Sequence, residues 1–313
     1  MSVAILGSIN MDIALSVARL PKPGETISGA TVAQHPGGKG ANQAIASARL
    51  GSETMLIGAV GQDEFGKKLV ANLKSSGVGV ANIAEVAHRP TGQAYICVAR
   101  DGENSIIVVP GANQGIAPGM VSPPALAEAG VFLAQLEVPV VTAQAFFTTE
   151  AARNGVRLLN AAPFVQGAKS LLELVDGIIV NETELAQHAG AASAPEAMED
   201  IAVLAQKLIG DSDRFVVVTL GKRGAMAVTP NSYKEYPGIE VKTVDTTGAG
   251  DCFCGALAAA IDRGLGLNAA MQFANAAAAL STTKAGAGPS MPVLAEVEAK
   301  VEALTKAEET AAG

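Results

Sequence analysis

The sequence has no tryptophan, and only 4% of its residues are aromatic (8 Phe and 3 Tyr). So few flat side chains offer no platform for stacking nucleic-acid bases, and the core must be packed with small aliphatic groups. Cysteine is scarce as well. Cys97, Cys252 and Cys254 cannot build a disulfide framework, which points to a reducing, cytoplasmic compartment. The pair Cys252 and Cys254 lacks a second pair or a spaced histidine, so it reads as two small buried residues rather than a metal site. His35, His88 and His188 lack ligand spacing too. No stretch reaches about 18 uninterrupted apolar residues, the length of a membrane span. The opening MSVAILGSIN has neither the basic segment nor the apolar length of a secretory signal. Positive charge is in the minority, 22 basic residues against 30 acidic, which argues against a nucleic-acid partner. A small anion needs only a local cluster of donors, so it stays open.

What is present is a folded chain. Of 313 residues, 49% are apolar and 17% charged, which excludes disorder as the main state and allows two compact units or one large α/β domain with an insertion. Strand-like runs at 3–6, 54–59, 131–136, 156–160, 178–180 and 215–219 alternate with helical patterns. The helical stretches are 37–51, 64–76, 138–154, 182–190 and 195–210. Two β-type pieces at 225–228 and 232–236 read as antiparallel, and helices at 248–264, 267–285 and 293–307 complete the chain, with a frayed tail at 307–313. Such alternation predicts a mostly parallel sheet covered on both faces. Residues 12–34 and the hairpin-like 93–99 and 105–109, joined by a turn at 100–104, do not fit it and predict a small second sheet, a lid.

Ligands of open parallel sheets bind beyond the carboxyl ends of the strands, so the loops there carry the functional reading. Asp245-Thr-Thr-Gly-Ala-Gly-Asp251 precedes an apolar helix, and its glycines place bare N–H groups at the helix N-terminus, where anions bind. Asp251 in the first turn is either a capping carboxylate or a base beside a phosphate. The loop Gly37-Gly38-Lys39-Gly40 permits close backbone approach to a ligand, or is a tight turn with a solvated lysine; no GxxxxGK[ST] is present. Asn10 and Asp12 could pair with hydroxyls or be ordinary turn residues. Asn181 and Glu184 have capping-box spacing, and Glu184 could alternatively help hold hydrated Mg²⁺. Nucleophile-elbow and dinucleotide fingerprints are missing.

Together these loops identify a resemblance. Over nearly its whole length the sequence resembles the ribokinase family of sugar kinases, the PfkB-type carbohydrate kinases. GGKGAN at 37–42 and DTTGAGD at 245–251 are similar to the two family signatures, in the same order and about 210 residues apart. The NETE run at 181–184 looks like the family's magnesium-associated NxxE motif, and GSINMD at 7–12, PGAN at 110–113 and QLE at 135–137 strengthen the likeness on the sugar side.

The resemblance implies a three-layer α/β fold, one domain over 1–313 with a β lid from about 12–34 and 93–109. It implies transfer of the ATP γ-phosphoryl group to a primary hydroxyl, of D-ribose first, or of deoxyribose, fructose, ketodeoxygluconate or adenosine. A non-catalytic sensor on the same fold is the alternative of a different class. Asp251 would be the base and the amides of Gly248, Ala249 and Gly250 an anion hole. Asn10, Asp12, Gly38, Lys39, Asn42 and Glu137, with Asp251, match sugar positions; Asn181, Thr219, Gly221, Gly224 and Asn275 match nucleotide positions. Glu184 would hold Mg²⁺ through water. Asp245, Thr247, Ser281, Lys284, Gly286 and Ser290 match positions around a monovalent cation, usually K⁺, most of them through backbone carbonyls. Family members pair through the lid, which implies a homodimer. Ala161 stands where many members carry proline, and Asn275 where some carry histidine.

Overall fold

A computed structural model describes residues 2–101, 103–210 and 212–312, with side chains described as far as 307. The chain opens with β1 (Ser2–Leu6), buried along its whole length, followed by β2 (Asn10–Val17) and β3 (Thr31–Gly37). Helix α1 (Lys39–Arg49) returns the chain to β4 (Thr54–Gly61), and α2 (Glu64–Ser75) leads to β5 (Ile83–Val86). A hairpin of β6 (Gly92–Ala99) and β7 (Asn104–Val109) follows. After the short α3 (Pro123–Leu126) come β8 (Ala129–Gln135), α4 (Val140–Phe147), α5 (Glu150–Asn154) and β9 (Val156–Asn160). Then come α6 (Lys169–Leu172), β10 (Gly177–Asn181), α7 (Glu182–Ala189), α8 (Met198–Ile209) and β11 (Phe215–Thr219). The chain finishes with β12 (Gly224–Thr229), β13 (Ser232–Pro237), α9 (Ala249–Asp262), α10 (Leu267–Ser281) and α11 (Leu294–Ala312).

Nine strands form one sheet in the order β13-β12-β11-β10-β9-β8-β1-β4-β5. All pairs are parallel except those that β12 makes with β11 and β13. Central strands such as VAIL and VVV are unbroken apolar runs because helices cover both faces. Alternate side chains therefore feed two cores. Val3, Ile5, Val131 and Leu133 pack with α1, α9 and α10 on one face, while Ala4, Leu6, Phe132 and Ala134 meet Phe146 and Ile201 on the other. Cys252 and Cys254 are buried in the first of these cores, as small residues of an aromatic-poor interior. Burial pushes the Cys252 thiol up to about 12.

The second sheet has the order β3-β2-β6-β7, with β2 parallel to β6 and antiparallel to β3. Its strands leave and rejoin the large domain at residues 7–9, 38, 87–91 and 110, next to the carboxyl end of β1. Both faces of its outer strand are uncovered, since Ile106, Ile107 and Val108 are successive and exposed. Among the described residues, no helix is long and apolar enough to cross a membrane.

Several boundaries differ from the sequence pattern. The helix expected over 138–154 is two helices, because the Thr149 side chain accepts a hydrogen bond from Ala152 N and caps a new start. The helix expected from 195 begins at Met198, and that expected to 285 stops at Ser281, where Thr282 and Thr283 bond back to carbonyls of the last turn. Strand β5 was not expected: only four residues long, it pairs at the edge of the sheet through tertiary contact with β4. The tail does not fray at 307, since α11 is helical through Ala312; Gly313, and Gly102 within the turn expected at 100–104, lie outside the described residues.

Candidate active site

β1 lies between β4 and β8, so the crossovers on its two sides diverge and leave a crevice beyond its carboxyl end. Three segments fill the edge of that crevice: the 7–9 turn, the N-terminus of α1 and the 136–137 turn after β8. They approach closely because of glycine. A Cβ on Gly40 would lie 2.5 Å from the Gly7 backbone, so only hydrogen fits there. The contact is tied by Ala41 N donating to Ser8 O (2.9 Å). Ser8 Oγ donates to Glu137 Oε2, and Lys39 N reaches the same oxygen at 3.3 Å. Glu137 is thus held at the mouth of the crevice.

From the lid side, Asp12 on β2 faces the same space. Asn10, two residues earlier, accepts from Asn113 Nδ2 (2.7 Å), and Asn113 also bonds both the N–H and the carbonyl of Ile9. This fixes β2 where it leaves the large domain. Burial, with the nearby charges of Glu137 and Asp251, pushes the Asp12 carboxyl up from its ordinary 3.8 to about 7. Lys39 lies among these acids. Burial works against its charge, but Asp251, Glu137 and Glu184 outweigh that and hold its pKa above the ordinary lysine value.

Asp251 stands in the first turn of α9, whose N-cap Gly248 is left-handed (φ 77°) and makes no side-chain cap. Of the three amides expected in an anion hole, Ala249 N donates to Thr246 O (3.2 Å), which leaves the N–H groups of Gly248 and Gly250 at the open end of the helix. Asp251 is itself no cap. Asn42 Nδ2 donates to its Oδ2 (2.9 Å) and Gln43 Nε2 to its Oδ1 (3.0 Å). A pocket lined by Lys39, Glu184 and Gly248 to Asp251 adjoins a larger cleft of about 640 Å³, and the two share Asn181, Thr219, Thr246, Ala249 and Gly250. All five residues expected at the nucleotide, Asn181, Thr219, Gly221, Gly224 and Asn275, line that cleft.

The expected cation loops also meet. Asp245 accepts from Thr247 N and Oγ1 (2.9 and 2.7 Å) and from Gly286 N (2.8 Å), which outweighs burial and holds its carboxyl below the usual range. The side chains there are engaged elsewhere: Ser281 and Ser290 donate to carbonyls in their own turns, and the Lys284 ammonium pairs with Glu296. Glu184 completes the capping box, its carboxylate accepting from Asn181 N (2.9 Å), and burial raises its pKa. Among the described residues no cluster of three or more His, Cys, Asp or Glu forms a protein cage for a metal. A hydrated Mg²⁺ takes one or two carboxylates and relies on phosphates and water for the rest, and Glu184 supplies one such carboxylate on the wall of the smaller pocket.

The structure thus brings the expected sugar residues Asn10, Asp12, Gly38, Lys39, Asn42, Glu137 and Asp251 to one crevice, against the larger cleft. Reasoning from sequence missed Ser8, Gln43 and Asn160, which hold these groups. Gln43 alone carried a signal: it lies one helical turn beyond Lys39, on the same face.

The sequence matches the pfkB family carbohydrate kinase profile over residues 1–294. A ribokinase from Haemophilus influenzae is 37% identical over 299 residues, 94% of this chain and 96% of that protein. A bifunctional ribokinase/ribose-5-phosphate isomerase A from Fructilactobacillus sanfranciscensis is 37% identical over 297 residues, and this chain spans 54% of its length. Among solved structures, Arabidopsis thaliana ribokinase complexed with ribose and ATP superposes with a TM-score of 0.87 at 34% identity, over 96% of this chain and 98% of that one. Signatures, sheet order and converging loops agree with these matches: the chain belongs to the pfkB family of carbohydrate kinases.

Proposed function

We propose that this protein transfers the γ-phosphoryl group of ATP to the primary hydroxyl of D-ribose, giving ribose 5-phosphate and ADP. One observation carries the reading. Asp251, held by two amide donors, stands beside the open N–H groups of Gly248 and Gly250 at the start of α9, where the sugar-side crevice meets the larger cleft. Asp251 takes the proton of the sugar hydroxyl as its oxygen bonds to the γ-phosphorus. The bond from that phosphorus to the β,γ-bridging oxygen breaks and leaves with ADP. The N–H groups of the turn stabilise charge on the phosphoryl oxygens, and Lys39 adds a fixed positive charge beside them. With no tryptophan to stack on the sugar ring, Asn10, Asp12, Asn42 and Glu137 recognise its hydroxyls.

Glu184 would hold Mg²⁺ through water. When bound, the ion neutralises phosphate charge. The 245–247 and 281–290 segments would offer carbonyls to K⁺, next to the anion hole they adjoin through the Asp245–Gly286 bond. The chain acts as one catalytic domain whose small sheet closes over the sugar and excludes water. A second copy of this chain covers the face of that sheet opposite Asp12, burying aliphatics such as Val32 and Ile107, which the register places on that face and which are 63% and 65% exposed. Three unpaired cysteines suit the cytoplasm.

A coupled ADP-release assay tests this over ribose, deoxyribose, fructose, ketodeoxygluconate and adenosine, with Mg²⁺ and with or without K⁺. Ribose gives the highest kcat/KM, and K⁺ raises turnover. No sugar-dependent turnover above ATP hydrolysis would sink the reading.

A further inference from the structure

Below the crevice lies a chain of side-chain amides that the phosphoryl transfer does not itself require. Gln43 on α1 is fully buried, as is Gln135 at the end of β8, and Asn160 at the end of β9 is nearly so. Gln43 uses both N–H bonds of its amide: one goes to Asp251 Oδ1 (3.0 Å) and the other to Asn160 Oδ1 (3.0 Å). Its own oxygen accepts from Gln135 Nε2 (2.5 Å), and Asn160 Nδ2 donates on to Ile179 O (3.2 Å). The amide is therefore gripped on three sides by two sheet strands and a helix.

The direction of the chain has a cause. A carboxylate accepts only, so Gln43 must turn its NH₂ toward Asp251, which turns its oxygen toward Gln135. Gln135 must then present its own NH₂. Its remaining oxygen is buried with no hydrogen-bond partner. A buried acceptor without a donor costs the fold its desolvation with nothing in return. Turning Gln135 over would set two carbonyl oxygens against each other, so the orphan persists because the polarity runs outward from the two acceptor oxygens of Asp251.

We propose that Gln43 is a positioning residue for Asp251, its amide locked by Gln135 and Asn160 so that one carboxylate oxygen is fixed while the other bonds Asn42. This rests on Asp251 being the base. The chain joins α1, which carries Lys39 and Asn42, to the N-terminus of α9, so the base and the sugar residues share one rigid frame. The titratable groups that interact with Asp251 are Lys39 on α1, Asp12 on β2, Glu184 on α7, and the Cys252 and Cys254 thiols on α9, with Glu137 after β8 facing Asp12 and Lys39.

The experiment measures kcat from pH 5 to 9 at saturating ribose and ATP, with ribose binding by calorimetry, for Gln43→Met, Gln43→Glu, Gln135→Met and Asp251→Asn. Gln43→Met removes a hydrogen bond to a charged group; kcat falls about 10- to 100-fold. The acid limb of its profile moves up by about one pH unit, while KM for ATP stays within about twofold. Gln43→Glu keeps the shape, and so the fold, but sets a second carboxylate against Asp251; its limb moves further up. Gln135→Met leaves Gln43 in place and moves the limb less, in the same direction. If kcat falls only in step with thermal stability and the limb stays where it is in both Gln43 variants, Gln43 is structural and the proposal fails. If Asp251→Asn retains turnover, the base has been misassigned, and that failure is read independently of the Gln43 profiles.

Discussion

Replacing Asp12 by Asn should stabilise the protein above neutral pH while it weakens sugar binding. The folded protein holds this carboxyl at about 7 rather than 3.8, through burial and the charges of Glu137 and Asp251. A raised acid contributes stability that is fully present below the unfolded value and lost as pH rises through the folded one. Ionising Asp12 in the folded state at pH 8 therefore costs about 4 kcal/mol at most, and solvent screening of its partly exposed side chain lowers this to about 2–3 kcal/mol. Asn removes that charge and keeps the shape. Denaturant unfolding of both proteins from pH 4 to pH 9 should give equal stabilities near pH 4 and a gap that opens between pH 4 and 7. At pH 8 the variant is favoured by about 2–3 kcal/mol, or about 5 °C in Tm. In calorimetry the variant binds ribose about 10- to 100-fold more weakly, since each lost hydrogen bond to a charged group is worth about 1.5–3 kcal/mol. The native protein releases protons when ribose binds at pH 7, because hydroxyl donors favour the ionised carboxylate. A stability gap that is absent, or equal at all pH values, would refute the idea that burial, with the charges of Glu137 and Asp251, holds the Asp12 carboxyl well above its ordinary pKa.

Two further outcomes follow from single positions. Gly248→Ala forces an L side chain into a left-handed N-cap and a Cβ to 2.7 Å from the Ala287 Cβ, so the anion-hole turn must shift. Its kcat should fall about 10- to 100-fold with ribose affinity unchanged, and an unchanged kcat would remove that turn from the reaction. Thr149→Ala removes the cap of α5, far from the crevice. It should cost about 1 kcal/mol in denaturant unfolding and leave kcat/KM alone; a loss of activity would contradict the separation of that helix break from the site.

Legibility in the sequence follows the range of the interaction. Unbroken apolar runs such as VAIL and VVV mark buried parallel strands because helices cover both faces, and the glycine-rich runs at 37–40 and 248–250 mark places where backbone must approach a ligand. These are local properties, readable from neighbours in the chain. The break at Thr149 was less legible, since a threonine hydroxyl caps a helix only where the backbone has already turned. The four-residue β5 carries no pattern of its own.

The sequence by itself determined the layered α/β class, the small second sheet and the loops that bear the chemistry, because those rest on periodicity and on glycine's freedom. Tertiary structure alone decided the state of the charges. Asp12, Glu137 and Asp251 lie more than a hundred positions apart, and only the sheet order that sets β1 between β4 and β8 makes them neighbours of Lys39. The same holds for Gln43, Gln135 and Asn160, three ordinary amides until burial removes water and leaves them only each other and a carboxylate to bond.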